Sequence, residues 1–183
     1  MLEILKARFH QGYRTMPYPA GPAPELPALF IGRPVLEGGK CAPGRRSCAA
    51  ICPTGAIQPP RDSTPLRLDM GLCIFCGACR AACPSGAVLF SRDHRLAAAR
   101  REDLVVVPGS ERVPPLLRED RRKCFSRSLK LRQVSAGGCN ACEADTNVLG
   151  TLAWDIGRFG IQFVASPRHA DGILVTGPVT ENM

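Results

Sequence analysis

The sequence predicts two consecutive units of different fold class, an α+β module organised around two metal-cluster sites and a partial α/β segment with a parallel sheet. Two observations carry this prediction. Residues 41–90 contain two cysteine groups of similar layout, which indicates a module built on metal binding. From residue 129 onward the pattern changes to strand, helix and strand, which is the order of a parallel α/β unit.

The composition divides the chain into four segments, with boundaries at residues 1–40, 41–107, 108–128 and 129–183. The first should form an amphipathic helix over residues 2–11 and then an extended, proline-rich arm. Two interpretations of that helix stay open, packing on its own protein or docking on a membrane surface or a partner. The second segment ends in a short strand at 104–107, and the third reads as a basic linker.

The last segment carries the elements of the α/β unit. Its pattern predicts a strand from Leu129, a helix from Glu143 to about Ala153, and strands at 161–165 and 173–176. A segment of this length cannot complete a parallel sheet by itself. The sequence ends where a further helix would be expected.

Charge and composition narrow the class of partner. The formal net charge is +8, which suits nucleic acid, anionic lipid or an acidic protein. Neither a basic helix with interleaved aromatic residues nor zinc-finger spacing is present, so we expect no nucleic acid. Residues 1–30 lack a secretory signal, and no apolar run approaches the roughly 20 residues that span a bilayer. We therefore expect a cytoplasmic chain whose ten cysteines bind metal.

The strongest motif is Cys73-x2-Cys76-x2-Cys79-x3-Cys83-Pro84, the spacing of bacterial two-cluster ferredoxins. Its first three thiolates reach three corners of one 4Fe–4S cluster, and the fourth belongs to the other cluster. The pattern Cys-x3-Cys-Pro recurs 31 residues upstream, since 83 minus 52 is 31, so each half contributes to both clusters. The predicted ligands of the first cluster are Cys52, Cys73, Cys76 and Cys79. A zinc site is the alternative.

The upstream motif departs from the usual pattern because one cysteine is missing. It reads Cys41-x6-Cys48-x3-Cys52-Pro53, which leaves Cys41, Cys48 and Cys83 for the second cluster. Three thiolates suit a 3Fe–4S cluster, or a 4Fe–4S cluster with one ligand that is not cysteine. The alternative is a site that has lost its cluster.

A third motif, Gly137-Gly-Cys139-Asn-Ala-Cys142-Glu143, follows a strand and opens a helix. Two thiolates there can bind adjacent irons, and the helix N-terminus favours their charge. In isolation the pair could equally be a redox dithiol. Glu143 could cap the helix or transfer protons.

The longer context of these motifs resembles a known family. The stretches 131–143, 159–171 and 174–183 are similar to the small, cluster-bearing subunit of energy-converting nickel–iron hydrogenases of the formate hydrogenlyase type, and to its counterpart in respiratory complex I. Tyr18-Pro19, the 30–34 stretch and Cys73–Gly77 resemble the two-cluster ferredoxin-type subunit of the same complexes. The resemblance implies a ferredoxin-like two-cluster module fused to the N-terminal part of a flavodoxin-like small subunit.

That resemblance also implies roles. Cys139 and Cys142 would be two of four ligands of a further 4Fe–4S cluster, but no cysteine follows Cys142, so this third site is incomplete. Cys124 would be a spare thiol, and Glu143 matches an acid implicated in proton movement. His169 reads as a hydrogen-bonded loop residue.

The function implied is an iron–sulfur subunit that relays electrons to or from the catalytic subunit of a membrane-associated nickel–iron hydrogenase. It would have no complete active site of its own. Its partners would be the hydrogenase large subunit, membrane subunits and a soluble redox protein, and it would sit on the inner face of the membrane. The alternatives are a subunit of a complex I-like quinone oxidoreductase, or a truncated remnant that binds iron without function.

Overall fold

The computed structural model describes residues 2–12, 15–41, 44, 46–61, 64–110, 125 and 128–183. The chain forms two compact units, one spanning Glu25–Arg118 and the other combining Met1–Pro24 with Glu119–Met183. The stretch expected to be an N-terminal arm is therefore divided between the two units at residue 24. In the described part of the chain, no helix is long and apolar enough to cross a membrane.

The unit Glu25–Arg118 consists of short elements joined by turns. Its helices are α2 (Ser47–Ala50) and α3 (Ala78–Ala81), and its strands are β1 (Pro34–Leu36), β2 (Ile57–Gln58), β3 (Arg67–Asp69), β4 (Val88–Phe90) and β5 (Val105–Val106). The strands form two antiparallel sheets, β1–β4 and β2–β3–β5. This mixture of small helices and antiparallel strands fits the predicted α+β module.

The sequence repeat is visible in the structure. Helices α2 and α3 begin at Ser47 and Ala78, which are 31 residues apart, and strands β2 and β4 begin at Ile57 and Val88 with the same offset. The Ser47 hydroxyl donates a 3.0 Å hydrogen bond to the Ala82 carbonyl and so joins the two helix ends. Each half therefore contributes one helix and one strand in equivalent positions.

The core of this unit is built from small aliphatic side chains and thiols, as the low aromatic content requires. It contains Leu36, Cys48, Ile57, Leu66, Leu68, Met70, Cys79, Ala87, Val88 and Val106, all buried. Two of these are cysteines of the predicted clusters. Few large side chains fill the centre, so bound metal would supply part of the stability of so small a core.

The strand expected at 104–107 is shorter than predicted. A 3₁₀ helix covers Glu102–Leu104, and β5 contains only Val105–Val106. The Leu104 amide donates a hydrogen bond to the Arg101 carbonyl, and the Leu104 carbonyl accepts one from the Met70 amide. Leu104 therefore completes the turn that precedes the strand.

The second unit contains a three-stranded parallel sheet. Helix α1 (Leu2–Gln11) is followed by β6 (Leu129–Ser135), α4 (Ala141–Val148), β7 (Ile161–Phe163) and β8 (Gly172–Thr176), with 3₁₀ helices at Ile156–Phe159 and Pro167–His169. The strand order is β7–β6–β8, and both pairings are parallel. The predicted parallel strand–helix–strand arrangement is thus present, as is the predicted N-terminal helix.

Two predicted boundaries in this unit are wrong. Helix α4 begins at Ala141 and ends at Val148, whereas the pattern predicted 143–153. The Gly150 amide donates a hydrogen bond to the carbonyl of Asn147, three residues earlier, so this turn is tighter than an α-helical turn. Glycine is also a poor helix former. Strand β7 stops at Phe163 because Ser166 caps the following 3₁₀ helix.

Helix α1 has no buried residue. Its apolar side chains are exposed, with Phe9 at 94%. Among the described residues, the structure therefore does not support packing of this helix on its own protein.

Candidate metal centres

The loop that follows β3 places the first cysteines. The Cys73 amide donates to the Met70 carbonyl at 3.3 Å, and the Phe75 amide donates to the Cys73 sulfur at 3.4 Å. Gly77 has a φ of 73° and lies immediately before α3. Glycine adopts this left-handed conformation without a steric penalty, so the chain can turn from the loop into the helix that carries Cys79.

Four thiols surround one cavity. Its walls include Cys73, Cys76 and Cys79 from the downstream motif and Cys52 from the upstream motif. Apolar side chains of Ile57, Leu68, Ile74 and Phe90 complete the lining. In the part of the chain that the structure describes, no three His, Cys, Asp or Glu side chains are arranged to hold a single metal ion. The four thiols line one cavity, and a cubane needs such an arrangement because each thiolate binds a different iron.

The electrostatics of these thiols show the same grouping. Burial, together with the nearby sulfur atoms of Cys73, Cys52 and Cys76, raises the pKa of Cys79 to about 11. Burial also raises the pKa of Cys73, with Cys52 and Cys76 adding to the effect. The thiols of Cys73 and Cys79 therefore favour their protonated forms until a cation compensates the thiolate charge. The donor set therefore fits a positively charged iron–sulfur core.

The remaining three ligand candidates form a second group. Burial raises the pKa of Cys48, and Cys83 and Cys41 contribute to that increase. These are the three thiols predicted for the second cluster. Gly44 and Arg45 occupy the region where the usual further cysteine would lie, and Arg45 is outside the described residues. This set fits a cluster with three thiolate ligands.

The cysteines before the two prolines share an environment that sequence reasoning missed. The sulfur of Cys52 lies 3.7 Å from the Thr54 hydroxyl, and that of Cys83 lies 3.6 Å from the Ser85 hydroxyl. Burial acts to raise both pKa values, but hydrogen bonds from these hydroxyls and from backbone amides bring each below its ordinary value. The repeated Cys-Pro-Thr/Ser-Gly sequence was the available signal.

The third pair lies in the other unit and is open to solvent. Cys139 precedes α4, Cys142 is its second residue, and both are exposed. Gly137 has a φ of 80°, and a Cβ at this position would lie 2.4 Å from the Thr180 hydroxyl, so the turn requires glycine. Cys124, the remaining thiol, lies outside the described residues. Among the described residues only two thiols are present at this site.

Glu143 points away from the start of its helix toward the end of β8. The Thr176 hydroxyl donates a 2.6 Å hydrogen bond to Glu143 Oε1. The hydroxyl of Thr176, and then that of Ser135, lower the pKa of Glu143. Its other oxygen, Oε2, is buried and has no hydrogen-bond partner among the described residues. His169 ends an exposed 3₁₀ helix.

The arrangement of thiols in the unit Glu25–Arg118 defines a two-cluster iron–sulfur module. In agreement, residues 40–88 match the family model described as "4Fe-4S dicluster domain". This match confirms the ferredoxin-type part of the predicted fold class and the presence of iron–sulfur sites.

Part of the chain is similar to curated subunits of a hydrogenase, a formate hydrogenlyase and an NADH-quinone oxidoreductase. It is 47% identical over 58 residues to the probable membrane-bound hydrogenase subunit mbhJ of Pyrococcus furiosus, covering 32% of this chain and 35% of that protein. It is 46% identical over 61 residues to formate hydrogenlyase subunit 7 of Escherichia coli, covering 33% and 24%. It is 44% identical over 46 residues to a subunit of the NADH-quinone oxidoreductase of Citrifermentans bemidjiense, covering 25% and 27%.

A solved structure of a membrane-bound sulfane sulfur reductase, an archaeal respiratory membrane complex, matches with a TM-score of 0.44 and 29% identity, covering 57% of this chain and 62% of that chain. The chain spans no more than 35% of the length of the three curated relatives named here. Over part of its length, it is therefore an iron–sulfur protein homologous to subunits of hydrogenases and of complex I-like oxidoreductases.

Proposed function

We propose that this chain is the electron-transfer subunit of a membrane-associated nickel–iron hydrogenase, and that it relays electrons to or from the catalytic subunit. The observation that carries the proposal is the cavity that Cys52 of the upstream motif lines together with Cys73, Cys76 and Cys79, since it indicates that the two motifs exchange ligands. Such an exchange holds two redox centres close together in one rigid module, which suits a relay.

The assignment of cofactors follows from the two groups. A 4Fe–4S cluster would be held by Cys52, Cys73, Cys76 and Cys79, and a 3Fe–4S or 4Fe–4S cluster by Cys41, Cys48 and Cys83. These clusters would supply the one-electron redox chemistry. The protein residues orient the thiolates, exclude water with apolar walls such as Phe90, and donate hydrogen bonds to sulfur.

The second unit would link this module to the catalytic subunit. Cys139 and Cys142 would be two ligands of a further 4Fe–4S cluster that needs two ligands from elsewhere. We propose that the parallel sheet β7–β6–β8 is part of a larger flavodoxin-like sheet. Glu143, with one buried oxygen free of described partners, would hold or pass a proton there.

The partners proposed are a hydrogenase large subunit, membrane subunits and a soluble redox protein, with the chain peripheral on the inner face of the membrane. The hydrogenase relatives support this assembly because their names describe membrane-bound hydrogenase and formate hydrogenlyase subunits. The module at 41–107 and the α/β segment at 129–183 would be the two functional parts, joined by the linker at 108–128.

A complex I-like quinone oxidoreductase is the second candidate, since one subunit of such an enzyme is also a relative. Anaerobic purification of the tagged chain from its own cells tests the choice. Co-purified nickel in stoichiometric amount together with hydrogen-dependent dye reduction supports the hydrogenase. Quinone reduction without nickel supports the alternative. A monomer that binds iron and joins no complex would contradict both.

A further inference from the structure

An open groove with two arginines lies beside the β2–β3 hairpin. Its volume is about 410 Å³, which is large enough to receive an acidic side chain of a partner. Its lining includes Ala49, Gln58, Pro59, Arg61, Thr64 and Arg67. The motifs described above do not account for these residues.

Residues that follow one another in a strand face opposite sides of the sheet, and this alternation leaves an arginine of the hairpin exposed. Ile57 pairs with Leu68, and both side chains are buried at 3% and 1% exposure. The next pair, Gln58 and Arg67, therefore faces outward.

Arg61 and Thr64 are joined by hydrogen bonds, while residues 62 and 63 lie outside the described residues. The Arg61 amide donates to the Thr64 carbonyl, and the amide and hydroxyl of Thr64 donate to the Arg61 carbonyl at 2.7 and 2.6 Å. The backbone that carries the first arginine is thus already ordered before any partner binds, which reduces the entropic cost of association.

Both arginines of the groove are exposed. Arg95 and Arg101 form ion pairs with Asp93 and Asp69, but Arg61 and Arg67 form none with any carboxylate that the structure describes. The formal charge of the whole chain is +8. The groove is therefore a positively charged surface suited to an acidic partner.

The groove also borders the first metal centre. Ile57 lines both the groove and the cavity surrounded by Cys52, Cys73, Cys76 and Cys79. Ala49, another lining residue, lies in α2 between Cys48 and Cys52. A protein seated on the groove would thus be separated from that cavity by the side chain of Ile57.

We propose that this groove is the docking site of an acidic, soluble electron-transfer protein. Carboxylates of that partner pair with Arg61 and Arg67, because guanidinium groups bind carboxylates in a two-point geometry. With a cluster held by Cys52, Cys73, Cys76 and Cys79, the partner's redox centre would exchange one electron with it, with no proton transferred and no bond formed. The inference rests on the proposed function, since it needs a loaded cluster.

The test uses the cluster-loaded chain and, as the probe, an acidic two-cluster ferredoxin. Calorimetry measures the dissociation constant, and stopped-flow absorbance measures reduction of this chain by the reduced probe. The variant Arg61→Glu/Arg67→Glu lowers the formal charge from +8 to +4, and Lys130→Glu/Arg168→Glu makes the same change at exposed positions of the other unit. The double lysine variant, Arg61→Lys/Arg67→Lys, retains the charge of the groove.

We expect the groove variant to weaken binding and slow reduction by about tenfold or more, and the control variant in the other unit to change each by less than about twofold. The lysine variant should keep most of the rate, and added salt should weaken wild-type binding. Equal effects of the two glutamate variants would overturn the proposal. It would also be overturned if RNA bound through the two arginines more tightly than the ferredoxin, or if inorganic phosphate displaced the ferredoxin completely. The iron and sulfide contents of the wild-type chain are assayed separately. Absence of both refutes the proposed function. A chain that holds its clusters but binds the ferredoxin independently of Arg61 and Arg67 refutes only the docking site.

Discussion

The Asp69 carboxylate and the Arg101 guanidinium form a two-point ion pair, with Nη1–Oδ1 and Nη2–Oδ2 distances of 2.7 and 2.6 Å. The Gly71 amide donates to the same carboxylate at 2.9 Å. A Cβ on Gly71 would lie 2.9 Å from the guanidinium carbon, so glycine allows the arginine to lie over the turn. The Leu72 amide donates to the Asp69 carbonyl at 3.2 Å and the Cys73 amide donates to the Met70 carbonyl at 3.3 Å, so the ion pair stabilises the turn that leads into the first metal centre.

Loss of this ion pair should loosen the first cluster. We expect Asp69→Asn to accelerate iron release to a chelator by about two- to fivefold, a modest effect because a pair so accessible to water contributes little. The Arg101 side chain is 52% exposed. The matched control is Asp93→Asn, which removes a similar pair with Arg95 away from the cysteine motif. Equal acceleration by both variants would contradict the role given to Asp69.

The pH dependence of that effect has a definite sign. The hydrogen bond from Arg101 holds the pKa of Asp69 below its ordinary 3.8. A depressed pKa contributes stability that is complete above 3.8 and is lost as the pH falls through the lower folded value. The ratio of iron-release rates between Asp69→Asn and wild type should therefore be the same at about pH 6 and about pH 8. A ratio that changes across this interval would show that another group titrates.

The exchange of ligands between the two motifs predicts which substitutions act alike. Cys52→Ala should remove the same electron paramagnetic resonance signal as Cys76→Ala, although the two positions are far apart in sequence. Cys83→Ala should instead act like Cys41→Ala, since both belong to the group around Cys48. Spectra of the dithionite-reduced and oxidised variants separate the two signals.

Cys139→Ala is the control for this series. Its thiol lies in the other unit, so both signals should persist. The contrary result is that Cys52→Ala and Cys41→Ala affect one signal while Cys76→Ala and Cys83→Ala affect the other. Each motif would then bind its own cluster, and the proposed exchange of ligands would be wrong.

The turn that precedes β1 has no space for a side chain at Gly32. A Cβ there would lie 2.4 Å from the Asp93 carbonyl oxygen and 2.8 Å from that of Ser91. We expect Gly32→Ala to destabilise the unit by roughly 1–3 kcal/mol, since backbone atoms must shift. Gly39→Ala is the control, because nothing lies within 4 Å of its Cβ, and it should change stability by less than about 0.5 kcal/mol. Thermal unfolding followed by cluster absorbance measures both, and equal unfolding temperatures would contradict the expected clash.

Local patterns in the sequence predicted the ferredoxin-type module, which the match at residues 40–88 supports. The spacing of Cys73, Cys76 and Cys79 is set by one loop and one short helix, and the repeat at 31 residues reappears as equivalent helices and strands. The parallel order around β6 was also predictable, because alternation and length distinguish a strand from a helix.

Contacts between distant residues were not predictable in this way. Pro34–Leu36 pairs with Val88–Phe90, and this pairing has no local signature in a stretch rich in proline. The hydrogen bond from Thr176 to Glu143 joins the end of a strand to a helix 33 residues away. The end of α4 was placed too late because apolar residues continue past Gly150, where the chain forms turns. Tertiary packing and turn geometry decided these features.

The most direct measurement is the iron and acid-labile sulfide content of the chain purified without oxygen. The predicted result is a brown protein with about seven to eight irons for the two clusters and an absorbance that dithionite bleaches. A folded but colourless protein without iron and sulfide, or one that holds only zinc, would contradict the assignment of these thiols to iron–sulfur clusters.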